Sequence, residues 1–123
     1  MSNLSIIALV FIGGGFGSLS RFGITKLVNG FSSEAKFLVG TVVANTLACL
    51  VLGLTLYAFK DRLLENEWVK YLIVIGFCGG FSTFSTFSLE TVRLFQENLI
   101  GLGLLNIVIS VALGIGILWV LVR

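Results

Sequence analysis

The stretch GGFSTFSTFSLE, residues Gly79–Glu90, decides how this chain is read. It sits in a strongly apolar region, yet five of its twelve residues, Ser82, Thr83, Ser85, Thr86 and Ser88, carry hydroxyls among three phenylalanines. On a helix turning about 100° per residue, Phe81 and Phe87 lie about 60° to either side of Phe84, while Ser82, Thr83, Ser85 and Thr86 cover the opposite half. Such a rod has no clean lipid face there, so the segment is expected to be buried in protein or to line a cavity. Serine and threonine can hide their hydroxyls on the carbonyl four residues back, but a run built as STFSTFS exceeds what padding requires. The adjacent Gly79 and Gly80 predict a break in the helix. At membrane depth a break is tolerated only where the freed backbone groups meet protein, water or an ion.

The rest of the chain sets the surroundings of that segment. Of 123 residues, 57% are hydrophobic and 11% charged, with no proline or histidine and a mean hydropathy of +1.09, far outside globular usage. Apolar runs near the roughly 20 residues that cross a bilayer occur at Leu4–Leu19, Phe37–Phe59, Trp68–Val92 and Leu99–Val122. They predict an all-α integral membrane protein with four transmembrane helices in one domain, residues 1–123, and leave no length for a soluble domain. Met1–Ser5 has no Lys or Arg to form a signal-peptide n-region, so the first helix is expected to be retained. Cys49 and Cys78 both fall mid-span, where a thiol acts as a small apolar group. Zinc, haem and iron–sulfur sites have too few ligands to be supported.

The basic residues divide evenly. Four spans put Lys60, Arg62, Lys70 and Arg123 on one side and Arg21, Lys26, Lys36 and Arg93 on the other, four against four. Since the Lys and Arg bias sets orientation, a balanced chain has no strong preference. The expectation is insertion in both orientations and an antiparallel homodimer.

Few polar side chains interrupt the spans. Asn45 is the one strongly polar residue inside the second, with Thr41 four residues before it and Thr46 directly after. An amide buried without hydrogen bonds costs on the order of 2–7 kcal/mol, so Asn45 either clamps a neighbouring helix or serves as a ligand in a permeation path. Asn106 and Ser110 form a similar one-faced pair on the fourth span. Arg21 closes the first apolar run, either reaching to the lipid headgroups or capping neighbouring helix ends. The spacings Gly14–Ser18 and Ser110–Gly114, together with GGGFGS and GLGLL, predict close helix packing. GGGFG is not a phosphate loop, because no Lys-Ser or Lys-Thr follows it. A phenyl ring presents an electropositive edge, and hydroxyls and amides are conventional donors. No central Lys or Arg binds an anion tightly, so this chemistry permits a passive anion pathway with shallow wells.

At these residues the chain resembles the Fluc (CrcB-type) fluoride channel family. GGGFGSLSR is similar to the family's GGxGxxxR, GTVVAN to GTLxVN, and GFCGGFSTFSTFSLE to GxxGGxTTFSTFSxE, so the likeness covers essentially the whole chain. Ser82 stands where the first threonine is commoner, Ala44 where valine precedes the asparagine, and Ala48 where glycine is frequent. The resemblance implies a dual-topology antiparallel homodimer with two fluoride pores, passively exporting ion that entered as HF. By position it makes Asn45, Phe84 and Phe87 pore residues, Thr86 and Ser110 hydroxyl ligands, and Arg21 a structural or vestibule residue. It further implies a structural sodium ion held by the backbone carbonyls of Gly79 and Ser82 in the broken helix. The expected setting is the cell inner membrane, with the bilayer, fluoride and a second copy as partners, no nucleic acid and no enzymatic activity. The alternative is a small multidrug-resistance-type dual-topology antiporter, which needs a membrane carboxylate in helix one. Here that helix has none, and Glu90 is the one acidic residue in a span.

Overall fold

Ser2, in extended backbone, accepts the Ser5 N–H on its hydroxyl at 3.2 Å and caps the first helix of the computed structural model, which describes residues 1–30, 36–63 and 65–122. That helix, α1 (Asn3–Asn29), does not stop at Leu19 as the apolar run suggested. Arg21 and Lys26 belong to it, since Phe22–Val28 continues the apolar pattern and a long basic side chain can reach polar surroundings without ending a helix. The second helix, α2 (Lys36–Phe59), is followed by Lys60 in the left-handed region (φ 43°) and a 3-10 turn, Lys60–Leu63. Residues 31–35 of the expected first connection, and Arg123 in the charge count, lie outside the described residues.

The third span is composite. It starts as α3 (Glu67–Val69), widens into a π-helix over Lys70–Cys78, and tightens to one turn, α4 (Gly79–Phe81). Ser82 and Thr83 are then extended (ψ 155° and 114°) before α5 (Phe84–Gln96) resumes. The break expected near Gly79–Gly80 is therefore present and centred on Ser82 and Thr83, while the glycines themselves stay helical. Asn98 adopts a left-handed conformation (φ 61°) after α5, with Leu99 N–H on Leu94 O at 2.8 Å and Asn98 N–H on Phe95 O at 3.1 Å. This Schellman closure turns the chain straight into α6 (Ile100–Leu121).

Four helical stretches are long and apolar enough to span: Asn3–Val28, Val39–Phe59, Glu67–Gln96 and Ile100–Leu121. The Met1 ammonium lies 3.4 Å from the Glu67 carboxylate, so the starts of the first and third spans share one end, as an up-and-down arrangement requires.

Backbone contact, not large side chains, joins α1 to the third span. A Cβ on Gly13 would strike the Leu72 carbonyl, and one on Gly17 the Phe77 carbonyl. One on Gly80 would come within 2.5 Å of the Gly14 carbonyl. The contact pair along α1 is thus Gly13–Gly17 rather than Gly14–Ser18. Gly14 instead meets Gly80, so the glycine at position 80 serves close packing against α1 rather than a bend. The small core behind it is Ala44, Ala48 and Phe81, with the Phe77 and Phe81 rings edge to face at 5.4 Å. Large apolar side chains such as Phe11 and Trp119 point outward, as they do where hydrocarbon is the solvent.

Candidate functional site

One side chain organises the break. Asn45, on α2, accepts the Thr83 N–H on Oδ1 at 2.7 Å and donates from Nδ2 to the Thr83 carbonyl at 3.3 Å. In an unbroken helix the Thr83 N–H would bond the Gly79 carbonyl; Asn45 takes that donor away. Gly80, the next carbonyl, accepts from Arg21 Nε at 3.1 Å. Arg21 therefore meets the broken helix from α1, one of the two roles expected of it. The Ser82 hydroxyl folds back on the Cys78 carbonyl at 2.9 Å, so Ser82 presents its backbone rather than its side chain.

Beyond the break, Thr83 caps α5 by accepting the Thr86 N–H on Oγ1 at 3.1 Å. Such a cap is worth about 1 kcal/mol. The start of α5 is also the positive end of its dipole. Beside it lies an open groove of about 270 Å³ lined by Asn45, Phe84, Phe87 and Ser110, together with Cys49 and Thr83. Phe84 is 79% exposed there, and its ring centroid is 5.9 Å from that of the half-buried Phe87. Among the described residues no charged side chain lines the groove.

A second space, about 290 Å³, lies on the other side of Thr83 and includes Arg21, Thr25, Thr41, Thr86 and Glu90 in its wall. Of the five side chains that the family resemblance implies for the ion path, Asn45, Phe84, Phe87 and Ser110 share the groove. Thr86 faces the other chamber, because the cap at Thr83 turns α5 so that the two hydroxyls stack at 3.2 Å. In the chamber Thr41 donates to Glu90 Oε1 at 2.6 Å, although Glu90 is only 5% exposed.

A hydrogen-bonded chain buttresses the groove from behind. Ser110 donates to Asn106 Oδ1 at a long 3.4 Å, Asn106 to Thr91 Oγ1 at 3.0 Å, and Thr91 to the Phe87 carbonyl at 2.8 Å. The Asn106–Ser110 pair accordingly ties α6 to α5 at the turn that carries Phe87.

Sequence reasoning counted Thr83 among the hydroxyls but did not find it as the helix cap, whose signal was its place just ahead of a helical run, where hydroxyl caps belong. It did not find the Thr41–Glu90 contact, and it read Cys49 as packing although the thiol borders the groove. Among the described residues no cluster of His, Cys, Asp or Glu could hold a metal. A cation at the break would depend on backbone carbonyls, and the Gly79 carbonyl, robbed of its helical donor, fits that role.

Residues 8–122 match the family described as CrcB-like protein, Camphor Resistance (CrcB). The chain is similar to the fluoride-specific ion channel FluC 1 of Yersinia pestis, at 44% identity over 84% of this chain and 80% of that one. It is also similar to the fluoride-specific ion channel FluC of Magnetococcus marinus, at 41% identity over 87% and 86% of the two chains. A FluC of Solibacter usitatus is 36% identical over 90% of each. The broken third span, the Asn45 clamp and the phenylalanine groove therefore sit in a chain that belongs to the CrcB family.

Proposed function

We propose that this chain is a multi-pass channel of the cell inner membrane that lets fluoride leave the cytoplasm passively. The observation that carries the reading is the groove at the start of α5, where Asn45, Phe84, Phe87 and Ser110 converge without a charged side chain, in a chain of this family. A permeating anion needs donors that hold it weakly. Asn45 uses one Nδ2 hydrogen on Thr83 and has a second to offer. The long Ser110 bond can be exchanged for an anion at little cost. The edges of Phe84 and Phe87 add weak electropositive surface, and the dipole of α5 favours a negative ion at its start. Thr86 would receive the ion on the chamber side, with Arg21 nearby.

The working unit in this reading is an antiparallel pair of identical chains with two pores. The even split of basic residues and the 79% exposure of Phe84 beside a polar groove favour a second copy completing each path. The Gly79 and Ser82 carbonyls of both copies would hold a structural sodium ion, which supplies positive charge to join the broken helices. The side chains of this chain then need only position those carbonyls, as Asn45 does through the Thr83 backbone.

Fluoride efflux from potassium-loaded liposomes bearing the purified protein tests the reading. Release is expected only when valinomycin lets potassium follow, which marks passive, electrogenic movement. Release that ignores valinomycin and tracks an imposed proton gradient would replace the channel by an exchanger.

A further inference from the structure

The groove does not account for Glu90. This carboxyl is 5% exposed, takes one hydrogen bond from Thr41 on Oε1, and leaves Oε2 buried with no partner among the described residues. It lines the chamber with Thr83 and Thr86, and Thr83 also lines the groove, so the two spaces meet at that residue. Two cations bear on it. Arg21, from α1, shares the chamber but gives its Nε to the Gly80 carbonyl and makes no ion pair with Glu90; Arg93, further along α5, is exposed. From α2 the chamber receives Thr41 and no charged side chain.

We propose that Glu90 carries a proton on Oε2 and offers it as a hydrogen-bond donor to fluoride in the chamber, making Glu90 a specificity-determining residue of the pathway. The proposal rests on the fluoride reading above. An ionised carboxylate here would have one donor for two oxygens, whereas burial of charge demands pairing and full hydrogen bonding. A proton on Oε2 removes the charge and converts an acceptor with no donor into a donor. The chamber then offers an incoming anion the Arg21 cation and the carboxyl O–H, with no like charge opposing it. Fluoride is the most compact halide and the strongest hydrogen-bond acceptor among them, so a short O–H···F⁻ contact favours it over chloride. No bond is made or broken: the proton stays on Oε2 as the ion arrives and leaves, and the charge moved is that of one fluoride.

Infrared spectroscopy of the full-length protein in liposomes near neutral pH, with no fluoride present, reads the proton independently of transport. Wild type is expected to show the C=O stretch of a protonated carboxyl, lost in Glu90→Gln and shifted but retained in Thr41→Val, which removes the donor to Oε1. Added fluoride should move that band, and added chloride should not. In the flux assay Glu90→Gln, whose amide N–H keeps a donor in the chamber, should hold the preference for fluoride over chloride near wild type. Glu90→Met, which removes the donor, should lower that preference about tenfold, the scale of one hydrogen bond. A spectrum showing only carboxylate, or a carboxyl band that fluoride leaves in place while flux is normal, overturns the assignment. A normal band in a protein that passes no fluoride would count against the channel reading instead, and with it against the ligand proposed for Glu90.

Discussion

Asn45 holds both polar groups of the Thr83 backbone, accepting its N–H at 2.7 Å and donating to its carbonyl at 3.3 Å. An amide has the donor and the acceptor needed to do both. Asn45→Asp keeps the acceptor but loses the donor and places a negative charge beside the groove. Leaving the Thr83 carbonyl without its partner costs on the order of 1–3 kcal/mol. Fluoride efflux is expected to be abolished and the thermal midpoint lowered, whereas loss of stability with full efflux would leave Asn45 a clamp and nothing more.

Phe84 and Phe87 separate packing from permeation. Phe84 is 79% exposed within the chain, so Phe84→Ile should leave the subunit's own stability nearly unchanged. Phe87 is half-buried, and Phe87→Ile should cost on the order of 1 kcal/mol. If the electropositive ring edge guides the ion, both variants should lose most of their fluoride flux despite this difference. Wild-type flux in the pair would remove the rings from the pathway.

The glycines of α1 make an internal comparison. Gly13→Ala and Gly17→Ala would drive a methyl group into the backbone of the third span, while Gly15 has open space around it. Overpacking costs about 1–3 kcal/mol where neighbours can yield, and here the obstacle is backbone. Thermal melting in detergent should show both variants severely destabilised and Gly15→Ala close to wild type. Equal behaviour of the three would mean that α1 does not pack as described.

Sodium dependence tests the carbonyl site. Because the Ser82 hydroxyl is engaged with Cys78, Ser82→Ala should leave activity largely intact. Prolonged sodium removal should abolish fluoride efflux in wild type and Ser82→Ala alike, and potassium should restore it poorly. Full activity after exhaustive dialysis against a sodium-free buffer would leave the break with a purely structural explanation.

Orientation can be forced. Adding two or three lysines (about 1 kcal/mol each at the membrane surface) beside Lys60 and Arg62 should pin that side to the cytoplasm in nearly every copy. An antiparallel pair then cannot form from this variant alone, and cellular fluoride resistance should disappear. Co-expression with a variant carrying extra lysines between Lys26 and Lys36 should restore it. Resistance conferred by either variant alone would rule out the antiparallel arrangement.

Four apolar runs and the STFSTFS segment with its neighbouring motifs were enough to read four spans, a broken third helix and a family. Such properties are local, because the length and polarity of a segment determine whether it can cross hydrocarbon, whatever its neighbours do. Helix ends were less legible: Leu19 closed the apolar run but not α1, since Arg21 finds its partner 59 residues away on the Gly80 carbonyl. The break moved for the same kind of reason. Glycines mark where a helix can yield, but the residue that loses its bond is Thr83, chosen by an amide 38 positions earlier. Which hydroxyl faces which space was likewise beyond one-dimensional reading. A two-residue extended link resets the phase of α5, sending Phe84 and Phe87 to the groove and Thr86 and Glu90 to the chamber. Helical periodicity carries a side chain's direction only as far as the helix runs; past Ser82, packing against α2 and α6 decides it.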